Sequence, residues 1–287
     1  MEIKLSNKLL NEKTVQIMGK TILEQMKKCK ENNQTFTMPS VNASRGMPHN
    51  YFTGHELTGG NFMWALMCGV DNRWATPSQL KKNKMRWKKG SSMTWFLRPI
   101  LKDIEDEKGN EKTILIGFAK YPMINFADVI DAPEVEEKGD FTPIEECEYI
   151  KQGLLENGLD LRHSQQARYY YVPSADFIHM LQPELFNSNK DYYSVLFHEI
   201  GHWTGHEKRL KRDMKNSKPE YAFEELVAEL TSAFLCKMTG LDQTPRDDHA
   251  KYLNSWIKAL GDDLSIIWKA STQAFNAVRY VQKQIKK

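Results

Sequence analysis

The segment Tyr192–His206, YYSVLFHEIGHWTGH, constrains this chain more than any other. His198 and His202 stand four residues apart, and on a helix that spacing puts both imidazoles on one face. Both can then reach one metal ion. Glu199 follows His198, where a carboxylate can serve as general base and later as proton donor. A zinc ion would lower the pKa of a bound water from 15.7 to about 7, which makes a nucleophile available at neutral pH. Leu196, Phe197, Ile200 and Trp203 make the segment apolar, and Gly201 permits close approach of a second element. His206, one further i+4 step, reads as a helix-end residue. The competing readings are a chance pattern of packed histidines and a metal site that has no catalytic role.

A catalytic zinc takes three protein ligands and keeps a fourth position open. The run FEELVAEL, residues 223–230, offers Glu225 and Glu229 on one predicted helical face. One is expected to ligate and the other to hold a ligand imidazole from behind. Zincins that use glutamate often space two carboxylates this way with the first as ligand, which ranks Glu225 ahead of Glu229. Glu224 points roughly 100° away from Glu225 on a helical wheel and is the weaker choice. Zn2+ is the default ion, and Mn2+ or Co2+ suits two imidazoles and a carboxylate as well.

The rest of the chain is an ordinary globular composition, with 40% hydrophobic and 27% charged residues over 287 positions. No run of about 18 apolar residues predicts a transmembrane helix. The N-terminus lacks the apolar stretch of a signal peptide. Cys29, Cys68, Cys147 and Cys236 form no CxxC pair and read as reduced thiols. A cytoplasmic protein is expected.

Charge is segregated along the chain. Arg73, Lys81, Lys82, Lys84, Arg86, Lys88, Lys89, Arg98 and Lys102 follow one another with no Asp or Glu between them. Trp64, Trp74, Trp87 and Trp95 lie in or beside this basic run. Cations that track phosphates and aromatic faces that stack on bases are what single-stranded nucleic acid needs. The rival reading is a solvated basic face, with Trp64 in the core and Trp95, alternating with Met93 and Leu97, facing the core likewise. Arg45, in the loop SRGMPHN, is a further candidate phosphate contact. From Asp128 to Glu148 acidic residues dominate, and this stretch reads as a surface segment between two domains, 1–135 and 136–287.

The expected fold class is α+β: an α+β N-terminal DNA-binding domain followed by a mostly helical zincin-like metallopeptidase domain. Helices are expected over 11–30, 78–84, 145–157, 189–206, 219–239, 247–260 and 263–285. Residues 60–69 read as helix or strand. Two strands, 92–101 and 112–121, are expected to form a hairpin around the polar EDEKGNE segment. The triplet Tyr169–Tyr171 reads as strand packing.

Taken together these residues resemble the ArdC-type antirestriction proteins of conjugative plasmids. The resemblance rests on PHNYFTGHELTGGNF (48–62), NRWATPSQL (72–80) and KKG (88–90). In the C-terminal half it rests on the segment 192–206, Arg209-Leu210, YAFEELVAEL (221–230) and HAKYLNSW (249–256). It covers nearly the whole chain. It implies an N-terminal domain that binds single-stranded DNA, of a kind also attached to plasmid primases, and a zincin-like C-terminal domain. It also implies a role in conjugation, shielding incoming plasmid DNA from restriction, with host restriction-enzyme subunits as a possible target. Asn61, Trp74, Thr76, Gln79 and Gly90 belong to the shared N-terminal pattern. Arg73, Trp74, Gln79, Asn61 and the run Lys81, Lys82, Lys84, Arg86, Trp87, Lys88, Lys89 are accordingly the candidate DNA contacts. The family often carries an Arg-Tyr-Arg-Gly-like segment where this chain has His55-Glu-Leu-Thr-Gly-Gly. The alternatives are a metallopeptidase whose basic domain binds a protein partner, and a DNA-binding protein with a structural metal.

Overall fold

The computed structural model describes residues 13–31, 47–69, 71–105, 111–134, 143–166, 168–212, 218–241 and 249–285. The first helix, α1 (Lys13–Glu31), buries Val15, Met18, Ile22 and Met26 on one stripe. That three-to-four spacing is the signature of a helix packed on a core. The short strand β1 (His49–Asn50) precedes α2 (Gly60–Cys68), β2 (Arg73–Ala75) and α3 (Pro77–Lys82). Thr76 caps α3: its hydroxyl accepts from the Gln79 N–H, and the Gln79 side chain accepts from the Thr76 N–H. Strands β3 (Thr94–Glu105) and β4 (Glu111–Asn125) form the expected hairpin, with a register shift between Ile100 and Leu101. The four strands order as β1-β2-β4-β3, with only β1 and β2 parallel.

The second half opens with α4 (Pro143–Glu156). A three-stranded sheet of β5 (Asp160–Ser164), β6 (Tyr170–Val172) and β7 (Phe177–Leu181) follows, ordered β5-β7-β6. Four helices complete the chain: α5 (Asn189–Thr204), α6 (Lys218–Thr239), α7 (His249–Asp262) and α8 (Ile266–Ile285). Residues 60–69 resolve to helix. Strands β5 and β7 had no counterpart among the expected elements, since each is five residues long.

Helix α5 is the centre of the molecule. Every side chain from Tyr192 to Thr204 is buried. Ser188 starts it, its Oγ accepting from the Asp191 N–H. Around α5 one apolar cluster joins α1 and α2 to the C-terminal helices: Val15, Met18, Phe62 and Leu66 belong with Phe234, Phe275 and Val278. The Phe62 ring stands 4.5 Å from Phe234 and 5.5 Å from Phe275. The four cysteines are free thiols, and no described helix is long and apolar enough to cross a membrane.

Candidate metal centre and basic face

Gly201 sets the geometry of the centre. A Cβ there would lie 2.8 Å from the Ala228 Cα, so only glycine lets α5 and α6 touch at this point. The contact brings the carboxylates of α6 over the histidines of α5. The Nε2 atoms of His198 and His202 stand 3.1 Å apart. Glu225 faces both, Oε2 at 3.6 Å from His198 Nε2 and Oε1 at 3.5 Å from His202 Nε2. The three side chains are buried, with one ligand atom of each within 4.8 Å of the others. Ligands about 2.0–2.1 Å from a tetrahedral ion stand roughly 3.3 Å from one another. The donor set and its spacing therefore fit one small divalent cation.

A carboxylate stands behind each outward nitrogen. His198 Nδ1 lies 3.4 Å from Glu229 Oε2, and His202 Nδ1 lies 3.3 Å from Glu224 Oε1. An imidazole that donates its Nδ1 proton presents the Nε2 lone pair, which is the tautomer a metal needs. Glu225 is thus the carboxylate placed beside both Nε2 atoms, and Glu229 lies behind His198. Glu224, the weaker choice on the helical wheel, has a place after all. The offset that turns it from the metal turns it toward the rear of His202. Arg212 supports Glu224 in turn and also donates to the Gly201 carbonyl at 2.6 Å and the Thr204 hydroxyl at 2.9 Å. Nothing periodic in the sequence marks Arg212, because it reaches the centre from the loop beyond α5.

Burial would by itself raise the Glu225 carboxyl. The hydrogen bond from His198 and the charges of His202 and His198 hold it at about 2 instead. Burial opposes ionisation of Glu224 as well, and hydrogen bonds from His202 and Arg212 bring it below the ordinary carboxylate range. Glu199 is buried on α5 directly after His198. His206 lies past the end of α5, its Nδ1 3.8 Å from Asp176 Oδ2. It borders a cavity of about 490 Å³ shared with Asp176, Lys208 and Arg212.

The N-terminal candidates divide sharply. Trp74 is fully buried, edge-on to Phe96 at 5.1 Å, so it cannot stack on a base here. Asn61 is also interior, and its amide is used twice on the Leu97 backbone, at 2.6 and 3.0 Å. Gln79 closes the α3 cap and hydrogen-bonds Asn50. Arg73 is paired with Asp71 at 2.7 Å and donates to the Pro133 carbonyl. Trp74 and Asn61 are thus corrections to the expected DNA contacts, being interior, while Arg73 and Gln79 are part-exposed and paired within the fold. Trp87 is half-buried and bridges Val129, and the Lys88 ammonium donates to the Ala127 carbonyl. Lys81, Lys82, Lys84, Arg86 and Lys89 are exposed. Arg45 lies outside the described residues. Trp95, which the rival reading would turn toward the core, is 48% exposed.

Two family models match the chain. The N-terminal domain of the anti-restriction factor ArdC matches residues 12–126, and a zincin-like metallopeptidase model matches residues 148–273. A metal-free crystal structure of the antirestriction protein ArdC from plasmid R388 aligns over 94% of this chain and 98% of its own, with a TM-score of 0.73 and 29% identity. The chain belongs to the ArdC family. The Mn(II)-bound structure of the same R388 protein aligns with a TM-score of 0.70 over 93% of this chain and 98% of that one, also at 29% identity. Curated relatives include the DNA primase TraC of Escherichia coli, 31% identical over 265 residues. That alignment takes in 83% of this ArdC-family chain and 24% of the primase. A second TraC primase is covered to 18%, so the chain spans a quarter or less of these primases. A Sinorhizobium fredii protein, y4eC, is 33% identical over 183 residues, 62% of this chain and 58% of its own.

Proposed function

We propose that this ArdC-family chain binds single-stranded DNA through its N-terminal half and holds a divalent metal at His198, His202 and Glu225. In this reading it shields plasmid DNA entering a recipient cell from restriction, and its zincin-like half retains hydrolytic chemistry. The observation that carries the metal assignment is the convergence of one carboxylate and two imidazole Nε2 atoms, each imidazole with a buried carboxylate behind it. When bound, the metal supplies Lewis acidity and an acidified water. Glu199 accepts the proton of the attacking water and returns it to the leaving group. Glu229 and Glu224 fix the tautomers of His198 and His202. The exposed, acid-free lysines support binding to a phosphate backbone, and the family membership supports its being DNA. Two imidazoles and a carboxylate accept Zn2+ or Mn2+, and the Mn(II)-bound R388 relative makes manganese the first alternative to zinc.

The test is a Glu199→Gln variant beside wild type. Chelator-treated protein should gain thermal stability on adding Zn2+ or Mn2+, about 2.7 kcal/mol at a hundredfold excess over Kd. Glu199→Gln should keep that gain and lose hydrolysis of an unfolded protein substrate. Single-stranded oligonucleotide binding should survive both chelation and the substitution. No stabilisation by either ion would remove the metal assignment. Equal hydrolysis by the variant and wild type would remove the role given to Glu199.

A further inference from the structure

We propose that the base-stacking surface for single-stranded DNA lies at the exposed start of β3 and is centred on Trp95, with phosphates carried by the exposed lysines that lead into that strand. This rests on the reading that the N-terminal half binds single-stranded DNA. It replaces the tryptophans that the basic run alone would nominate. Of the four tryptophans between residues 61 and 98, Trp74 is sealed in the core, and Trp64 and Trp87 are half-buried against apolar clusters. Trp95 alone leaves half its surface in water, and Met93 beside it is 45% exposed.

The core does not need Trp95. The adjacent Phe96 and Leu97 are both buried: Phe96 packs on Trp74, and the Leu97 backbone is pinned by Asn61. Successive residues of a strand point to opposite faces, so Phe96 and Leu97 are covered on opposite sides of β3, in separate apolar clusters, and the cover over Leu97 does not extend to Trp95 two residues earlier. Its cross-strand partner is Pro122, and Lys120 is the diagonal neighbour on the same face, opposite Leu97. The strand is therefore an anchored platform holding an indole in water, flanked by a cation.

The charge around the platform is one-sided. Six residues separate Lys89 from Trp95, a span of at most about 20 Å. Lys81, Lys82, Lys84 and Lys89 are exposed and make no ion pair among the described residues. Asp128 stands opposite Lys88, whose N–H donates to its carbonyl. The acids of β3 itself, Asp103 and Glu105, sit at the far end of the hairpin. A polyanion with stackable bases matches an exposed indole with Lys120 diagonal to it and an exposed run of lysines leading into its strand. An apolar protein surface would not use the lysines.

The experiment is anisotropy of a fluorescein-labelled oligo-dT titrated with the full-length chain at two salt concentrations, with tryptophan quenching followed alongside. Trp95→Ala should weaken binding about 5- to 150-fold, the worth of one stacked base, and should remove most of the quenching. Trp95→Phe should recover most of the affinity. The double variant Lys84→Glu, Lys89→Glu should flatten the slope of log affinity against log salt by about 1.4. Melting temperatures of all three variants should match wild type, since none of these side chains is buried. Wild-type-like binding by Trp95→Ala, with wild-type binding still salt-sensitive, overturns the platform and leaves the DNA reading standing. No binding by wild type at either salt concentration overturns the DNA reading and the platform with it.

Discussion

Arg212 grips Glu224 with two hydrogen bonds, Nε to Oε2 at 3.0 Å and Nη2 to Oε1 at 2.7 Å, and the same carboxylate stands 3.3 Å from His202 Nδ1. Both side chains are almost wholly buried, at 5% and 4% relative exposure. A loop residue outside α5 thereby fixes the orientation of one histidine of the candidate centre. The Glu224→Gln variant should weaken metal binding about 10- to 100-fold, read by competition with a chelator of known affinity. Arg212→Ala leaves a carboxylate buried without its cation and should cost about 3–5 kcal/mol of metal-free stability. Unchanged metal affinity in both variants would reduce the relay to a packing feature.

Acid should loosen the end of α5 through Asp176. Burial alone would raise its carboxyl, but hydrogen bonds from Arg209 and Tyr171 bring it below the ordinary value. A carboxyl with a depressed folded pKa stabilises above its unfolded value of about 3.9, and that stability is lost as pH falls through the folded value. Arg209 also lies 4.0 Å over the Trp203 ring and donates to the Trp203 carbonyl at 2.6 Å, so the pair ties the β6–β7 turn to α5. Asp176 has a positive φ of 53°, a conformation that asparagine also tolerates. Asp176→Asn should therefore lower the melting temperature at pH 7 and shrink the drop between pH 7 and pH 3. An unaltered drop would mean that other carboxyls govern the acid limb.

How much of this was legible in the sequence depended on where each signal lay. The helix bearing His198 and His202 announced itself, because apolar residues and histidines recur at helical spacing within one element. Glu225 was reachable for the same reason. The role of Glu224 was not, because a helical wheel gives direction around an axis and says nothing about which neighbour stands there. Arg212 needed the loop path as well. In the N-terminal half, residues of the shared pattern carry structural duties that the sequence did not reveal. Asn61, Trp74 and Gln79 hold a strand, a core and a helix cap, and Gly90 adopts a φ of 90°. Such structural demands fix residue types as firmly as a ligand does. The alternative of a core-facing Trp95 failed because cover over one face of a strand can end between two residues of that face: Leu97 is buried and Trp95 is not.

Gly201 gives a direct test of the helix contact that assembles the centre. Its substitution by alanine would set a methyl carbon 2.8 Å from the Ala228 Cα and 3.2 Å from the Ala228 Cβ. Backbone cannot move aside as a side-chain tip can, so α5 and α6 must part. Overpacking of this kind costs about 1–3 kcal/mol. Gly201→Ala should lower both stability and metal affinity, because Glu225 rides on α6 and the histidines on α5. Calorimetric titration with Mn2+ or Zn2+ reads the second effect. Loss of stability with full metal affinity would show that the helices separate without opening the centre.

The two halves of the chain should unfold together. Gly60 of α2 lies so close to α8 that an added Cβ would fall 2.1 Å from the Trp268 ring, and Gly19 of α1 similarly meets the Leu264 carbonyl. Phe62 inserts between Phe234 and Phe275. Glu56, in the segment that departs from the family pattern, pairs with Arg279 of α8 at 2.8 Å. The pair is partly exposed and contributes little stability by itself. The apolar contacts are another matter, since α1 and α2 bury their stripes against helices from the other half. Cutting the chain near residue 135 would put Val15, Met18, Ile22 and Phe62 into water, at about 1.5–3 kcal/mol for each large side chain. Calorimetry of the metal-free chain should therefore show one cooperative transition, and a fragment of residues 1–135 should be poorly soluble and bind an apolar dye. Two resolved transitions, or a well-folded fragment, would show that the N-terminal half carries a sufficient core of its own.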